Sequence, residues 1–413
     1  MEVGSKKHQQ RSTPRQKKSP GNEESPLYEV VCPAVYLARV FGLAPYEFED
    51  ARPDNNRPKR LRASTVYCFF SIFWLVVYTY IVVVSLIRFG GLDRDKPVLG
   101  VTEDGKLILN YLVSMVDTVL CIRCRGRFVH VWNSIQDFDE SFQLGNVPAG
   151  SADGRDSPSY SPILRRARFW VWTILTSNVV GWTMINQLGM HAFGEPYLQN
   201  IGYMLTYVGT CVAVLKFVGV VMLLGQRFAY LNEELARQRK KEEGRRSRPA
   251  DEIVKKIESS YNKLLSTSEE LGNIYSFSLF LYLLNLFCHA VSNMYFFTIW
   301  TILDPGYLKN PKIVFCLFSW LLIYLVQMLL IHVACHFTSL EANRMASVLL
   351  DWRRQAYRQS KYEFSSTLHY LNRRLNFTAA GCFNVNLPLL TSIFGHLTTY
   401  LVILLQIPDS SNS

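Results

Sequence analysis

Seven runs of apolar residues, each long enough to cross a bilayer and parted from the next by charged segments, limit this chain to few architectures. At ~1.5 Å rise per residue, about 20 residues of helix cover the ~30 Å hydrocarbon core of a membrane. The runs fall at 65–87, 106–122, 169–187, 199–225, 274–301, 313–335 and 387–407. The expected fold is therefore all-α, a seven-transmembrane-helix membrane protein. No apolar stretch of signal-peptide length precedes Cys68, so the first run is expected to target the chain to the membrane.

Charge sets the expected orientation. Lys and Arg number 44 against 33 Asp and Glu, a net charge of +11. Of those cations, 36 lie in segments 1–64, 124–168, 226–273 and 336–386, and 5 lie in segments 88–105, 188–198, 302–312 and 408–413. Cytoplasmic loops carry the excess of Lys and Arg, which places the N-terminus in the cytoplasm and the C-terminus outside. The basic balance thus has a topological cause, and no nucleic-acid partner is expected. The orientation is opposite to that of a G-protein-coupled receptor. The chain also has no Asp-Arg-Tyr closing its third run and no Asn-Pro-x-x-Tyr in its seventh.

The segments divide by length. Those assigned outside are short, so a ligand has to bind among the spans. Residues 1–26 read as a solvated basic tail, and 27–64 carry a short amphipathic stretch with Val35, Leu37, Val40, Phe41 and Leu43. Beyond the fourth span, Ile253, Ile257, Tyr261, Leu264 and Leu271 share one helical face. Beyond the sixth, Leu340, Met345, Leu349, Trp352, Leu368 and Leu371 follow the same spacing. These faces are expected to pack on one another as continuations of the spans.

Several small constellations have a bland reading and a sharp one. Cys121-Ile-Arg-Cys124 has redox or half-zinc spacing but no second pair, and His332 and His336 share a helix face with no third ligand nearby. No cofactor and no metal are expected. No Gly-x-Ser-x-Gly motif and no phosphate loop occur, so the chain does not read as an enzyme. Asp117 and Lys216 are ionisable residues deep in the spans, read either as functional or as a polar contact between the second and fourth. Trp182, Tyr203, Tyr207, Asn293, Trp320 and Tyr324 occupy the outer halves of the middle spans. They are either an interfacial belt or, if they converge, a ligand-binding pocket.

The last run is patterned. At ~100° per residue, Ser392, Gly395, His396, Thr399, Ile403 and Gln406 fall on one face, and the rest is aliphatic or aromatic. Lipid would leave such a stripe unsatisfied, so it faces either a neighbouring helix or a water-filled lumen.

Thr399-Tyr400, five apolar residues and Gln406-Ile407 resemble the C-terminal signature of insect gustatory receptors, with Ile407 where that family usually has Phe. Gly381-Cys382-Phe383, then Asn384 and Asn386 before Pro388, resemble the approach to its broken seventh helix. The resemblance implies a ligand-gated, non-selective cation channel opened by a small-molecule tastant in the plasma membrane of a sensory neuron. It implies a homotetramer or heterotetramer whose pore and gate are Ser392, His396, Thr399, Ile403 and Gln406. Its layout would be a cytoplasmic tail and amphipathic region (1–64), a six-span ligand-binding bundle (65–335), cytoplasmic anchor helices (336–386) and a pore-lining helix with a short outside tail (387–413). Lipid, tastant and cations are the partners so implied. A transporter, or an accessory subunit needing a co-receptor for current, are the alternatives; no internal repeat is visible that would favour the transporter.

Overall fold

The computed structural model of the chain describes residues 26–49, 59–90, 97–142, 160–193, 197–242, 250–299, 311–356 and 372–406. Helices dominate it: α1 (Pro26–Val40), α2 (Thr65–Gly90), α3 (Pro97–Arg123), α4 (Arg125–Ser141), α5 (Tyr160–Phe193), α6 (Tyr197–Glu242), α7 (Ala250–Thr298), α8 (Pro311–Ala356) and α9 (Leu387–Gln406). Each expected span is a helix, in order, as α2, α3, α5, α6, α7, α8 and α9. Six of them are long and apolar enough to cross a membrane on those grounds alone. The exception is α5, whose run carries Asn178, Asn186 and Gln187 among several hydroxyl residues. Two of its amides are used inside the protein. Asn186 is buried, while Asn178 donates to the Ile174 carbonyl and accepts from the Cys211 thiol of α6.

Helix length separates the part within the membrane from the part beyond it. α6, α7 and α8 contain 46, 49 and 46 residues, or roughly 70 Å each at ~1.5 Å per residue, about twice the hydrocarbon thickness. They run out of the membrane on one side and continue as a bundle with α4. The expected amphipathic face is its core, with Ile257, Tyr261, Leu264 and Leu271 all fully buried. Met345 is buried as well, but Leu340 is 55% exposed, so the second expected face packs only in part. Leu368 and Leu371 lie outside the described residues, as do the side chains of Ile253, Leu349 and Trp352. Between helices of this bundle, Arg227 of α6 makes a two-pronged bond to Asp139 of α4, at 3.0 and 2.6 Å, with the guanidinium fully buried. Asn232 of α6 reaches both the main chain and the carboxylate of Glu341 on α8.

Burial shows which helix is central. α6 touches α1, α2, α3, α5, α7 and α8, and 78% of its most apolar stretch is buried, against 17% for α2 and 11% for α9. α2 instead turns Val66, Phe69, Phe73, Val76 and Ile87 outward, the surface a lipid-facing helix presents. α6 and α8 meet closely at Gly225. A Cβ there would stand 2.6 Å from Thr338 Oγ1 and 2.9 Å from the Phe337 ring, and the Thr338 hydroxyl bonds the Val221 carbonyl across the contact.

The amphipathic stretch before α2 forms α1 and then a hairpin of β1 (Tyr46–Glu49) and β2 (Arg60–Ala63), antiparallel with Tyr46 opposite Ala63. α1 ends in a Schellman turn, Leu43 N–H to the Ala38 carbonyl and Gly42 N–H to the Arg39 carbonyl. Gly42 takes φ +73° there, and a Cβ on it would meet Trp74 at 2.7 Å. Phe41 and Leu43 are buried as the pattern predicts, but Val40 is 54% exposed, one turn along from Tyr36 on the outward face of α1. The hairpin seats on α4, with Asn133 bonding both the N–H and the carbonyl of Leu61.

At the other end a hairpin of β3 (Thr378–Ala379) and β4 (Phe383–Asn384) delivers the chain to α9. It is pinned to α7, because Ala380 N–H donates to the Ser276 carbonyl and the Ser276 hydroxyl to that of Thr378. The Asn386 side chain then caps α9 by accepting the Leu389 N–H.

Candidate functional site

Two sets of residues carry chemistry: the face of α9 and an aromatic cluster among α5, α6, α7 and α8.

α9 packs on α7 and α8 through one side only. Leu390 and Leu397 are buried, and Leu401, Leu404 and Leu405 pack against Tyr295, Phe296, Ile313 and Leu317. The opposite side carries Ser392, Gly395, His396, Thr399, Ile403 and Gln406, every one exposed. The helix therefore offers its polar stripe to something other than its own chain. Its hydroxyls are not left dangling. Ser392 bonds the Pro388 carbonyl at 3.4 Å and Thr399 that of Gly395 at 3.0 Å, so the stripe can meet apolar or aqueous surroundings without an unpaired donor. Tyr400 of the motif sits beside the stripe, half-exposed, with its ring edge-on to Phe287 of α7 at 5.7 Å. Ile407 lies outside the described residues.

The aromatic set does converge. Trp182 of α5 stacks on Tyr207 of α6 and meets Tyr324 of α8 edge-on at 5.7 Å. His289 of α7 completes the cluster, stacked on Tyr324 at 4.5 Å and edge-on to Tyr207 at 5.7 Å. Asn293 is buried one turn along from His289, and Trp320 is half-buried one turn from Tyr324. The Tyr203 side chain lies outside the described residues. The residues that sequence reasoning left out of the set are His289, Ser292 and Gln327. Their Nε2, Oγ and Nε2 atoms are buried without a hydrogen-bond partner among the described residues. All three follow helical spacing from named residues, Ser292 and His289 beside Asn293 and Gln327 one turn from Tyr324, and that spacing is the signal that could have found them. Buried polar atoms without partners are costly, and a bound molecule or ordered water that pairs with them relieves that cost. The ring faces and the partnerless polar atoms are the groups a small uncharged ligand would use.

Asp117 and Lys216 do not bond each other, and the expected polar contact between the second and fourth spans is made by Lys216 with Cys121 of α3. Asp117 of α3 is bonded by Ser278 and Tyr282 of α7, at 2.6 and 2.5 Å. Lys216 of α6 instead reaches the Leu43 carbonyl after α1 at 3.0 Å and Cys121 Sγ at 2.8 Å, with Phe128 and Tyr275 rings about its ammonium. Each charge thus ties a span to a third element, which spacing along the chain cannot show. Of the cysteine and histidine pairs, Cys121 takes the Lys216 contact while Cys124 begins the break between α3 and α4, and the buried His332 bonds the Met328 carbonyl.

A family model for the seven-transmembrane chemosensory receptors matches residues 31–409. Gustatory and pheromone receptor 32a of Drosophila melanogaster is 26% identical over 245 residues, 52% of this chain and 50% of that protein. The chain thus spans about half the length of that curated relative. The structure of the insect olfactory receptor OR5 from Machilis hrabei superposes with a TM-score of 0.65 at 14% identity, over 92% of this chain and 99% of that one. The same receptor in complex with eugenol superposes at 0.57 and 15% identity, over 92% and 98%.

Proposed function

The chain belongs to the seven-transmembrane chemosensory receptor family, and from that premise we propose that it is a gustatory receptor, a ligand-gated cation channel opened by a small-molecule tastant. The observation that carries the reading is the division of α9 into a packed apolar side and an exposed stripe of Ser392, His396, Thr399, Ile403 and Gln406. A spanning helix with that division needs water or a second subunit against it, and four such helices about an axis give both. The charge asymmetry supports a cytoplasmic N-terminus and an external C-terminus. The projecting ends of α6, α7 and α8, with residues 336–386, then serve as a cytoplasmic anchor between subunits. The aromatic cluster with Asn293 and Trp320 serves as the tastant site. The related olfactory receptor whose structure holds eugenol supports a small organic ligand in this fold.

The test is expression of this chain alone in a cell without other chemoreceptors, with surface delivery verified and a tastant panel recorded under voltage clamp. A tastant-evoked cation current is the expected result. Surface protein that carries no current across the panel would overturn the self-sufficient channel and favour a subunit that needs a partner.

A further inference from the structure

A second cavity lies away from the aromatic cluster, in the half of the bundle next to α4. Its volume is about 740 Å³, within the roughly 300–1,000 Å³ of ligand-holding clefts. α1 walls one side with Val31, Ala34 and Val35, α5 another with Trp170, Val171 and Ile174, and α6 the floor around Gly219. The lining is hydrocarbon almost throughout. Lys216 contributes to it, but its ammonium is bonded to Leu43 and Cys121, neither of which lines the cavity, so the side chain presents its methylene stem. Trp170 lines the cavity and is also 55% exposed, so it stands at the mouth. Phe169 and Trp172 beside it are exposed too, placing that mouth at the level where aromatic side chains border a bilayer.

We propose that this cavity holds one acyl chain of an anionic phospholipid from the adjacent leaflet. The mouth opens toward membrane, where acyl chains are the abundant apolar solute, and an empty apolar void of this size forfeits the dispersion contacts of its walls. The charge at the mouth has the sign a phosphate headgroup requires. On α5 the described Arg168 stands two residues before Trp170, the sequence has Arg165 and Arg166 ahead of it, and Gln226 supplies an amide at the cavity's end of α6. A chain seated here would lie along α1 and hold it against α5 and α6.

Gly219 makes the test clean. It lines the cavity, and a Cβ added to it meets nothing within 4 Å, so a side chain introduced there starts in open space and Gly219→Phe is expected to fill the lumen. Purified full-length protein is placed in nanodiscs containing phosphatidylserine with a photoactivatable group near one chain end, illuminated and mapped by peptide mass spectrometry. Peptides carrying Val171 and Gly219 should label several-fold more than the lipid-facing α2 peptide with Phe69 and Val76. Gly219→Phe, and the smaller Gly219→Leu, should remove the excess and leave α2 labelling unchanged, which also reports that the variants are folded. Phosphatidylcholine with the same chain should label the lining several-fold less. Lining labels no stronger than those of α2, or indifferent to both Gly219 variants, would overturn the site. Equal labelling by the two lipids would overturn the anionic assignment. An unlabelled lining that reacts instead with a soluble photoactivatable alkyl alcohol would assign the cavity to a free ligand and overturn the lipid. None of these readouts depends on channel current.

Discussion

Trp182 lies flat on Tyr207, ring centroids 5.4 Å apart and planes 6° from parallel, and this stack joins α5 to α6 at the point where Tyr324 of α8 also meets the indole. A ligand that enters between these rings changes the spacing of three helices at once. Tyr207→Ala and Trp320→Ala, both at partly buried positions, are expected to shift the tastant dose–response with surface expression intact. A role confined to packing would instead lower expression, since truncating a fully packed aromatic costs roughly 3–5 kcal/mol. Alanine variants at Trp182, Tyr203, Tyr207, Asn293, Trp320 and Tyr324 that all respond as the parent does would remove the pocket from this cluster.

The gate prediction follows from the two sides of α9. If four α9 helices surround a pore, a ring of Ile403 side chains would close it by dewetting, with the Gln406 amides beside it. Ile403→Ser is expected to raise ligand-independent current, and Gln406→Ala to alter gating or ion preference. Cysteines placed at 403 and 406 should react with a charged thiol reagent applied outside during activation and block current. Leu401 and Leu405 pack against Tyr295 and Phe296 and should be protected. The reverse reactivity pattern would put the pore elsewhere.

Orientation is checked by epitopes. A tag after Ser413 should stain on intact cells, and one before Met1 only after permeabilisation. Staining of the C-terminal tag confined to permeabilised cells would reverse the assigned topology and remove the external mouth from Gln406.

Between α4 and α6, Asp139→Ala removes the carboxylate that pairs with the buried guanidinium of Arg227. The cost of such an uncompensated charge is about 3–5 kcal/mol, read as a marked loss of thermal stability in detergent. The double replacement Arg227→Met with Asp139→Leu should recover most of it. A double variant as unstable as the single one would show that the loss came from α4 packing rather than from the orphaned charge.

Hydropathy made the spans legible because lipid rewards continuous apolar surface, and six helices pass on that ground alone. The polar face of α5 turns inward, so its sequence reads as less suited to lipid than its position makes it. Span ends were less legible. α6 continues from 225 to Glu242 because helical hydrogen bonding carries on where the hydrophobic signal stops, and only the amphipathic spacing of its partner α7 hinted at a bundle beyond the membrane. In the candidate site, aromatic residues could be picked by depth, and Trp182, Tyr207 and Tyr324 do meet. His289 and Gln327 were missed although each stands one turn from a chosen residue, because a lone polar residue in an apolar run looks the same whether or not three other helices aim at it. Asp117 and Lys216 fail for the same reason, since their partners Ser278, Tyr282 and Leu43 are far away in sequence.

Gly225 brings α6 against Thr338 and Phe337 of α8 so closely that the two helices cannot slide there without a clash. α6 is unbroken on both sides of that point. Tyr207 lies 18 residues before it and Glu242 lies 17 after, arms of roughly 27 and 26 Å at ~1.5 Å per residue. Should α6 tilt as a stiff rod, its close contact with α8 at Gly225 would serve as the fulcrum. A tilt imposed at the stacked rings would then be returned at the Glu242 end with nearly equal amplitude and opposite direction. Wedging a larger residue in at 225 would move the pivot while leaving both ends of the rod chemically untouched.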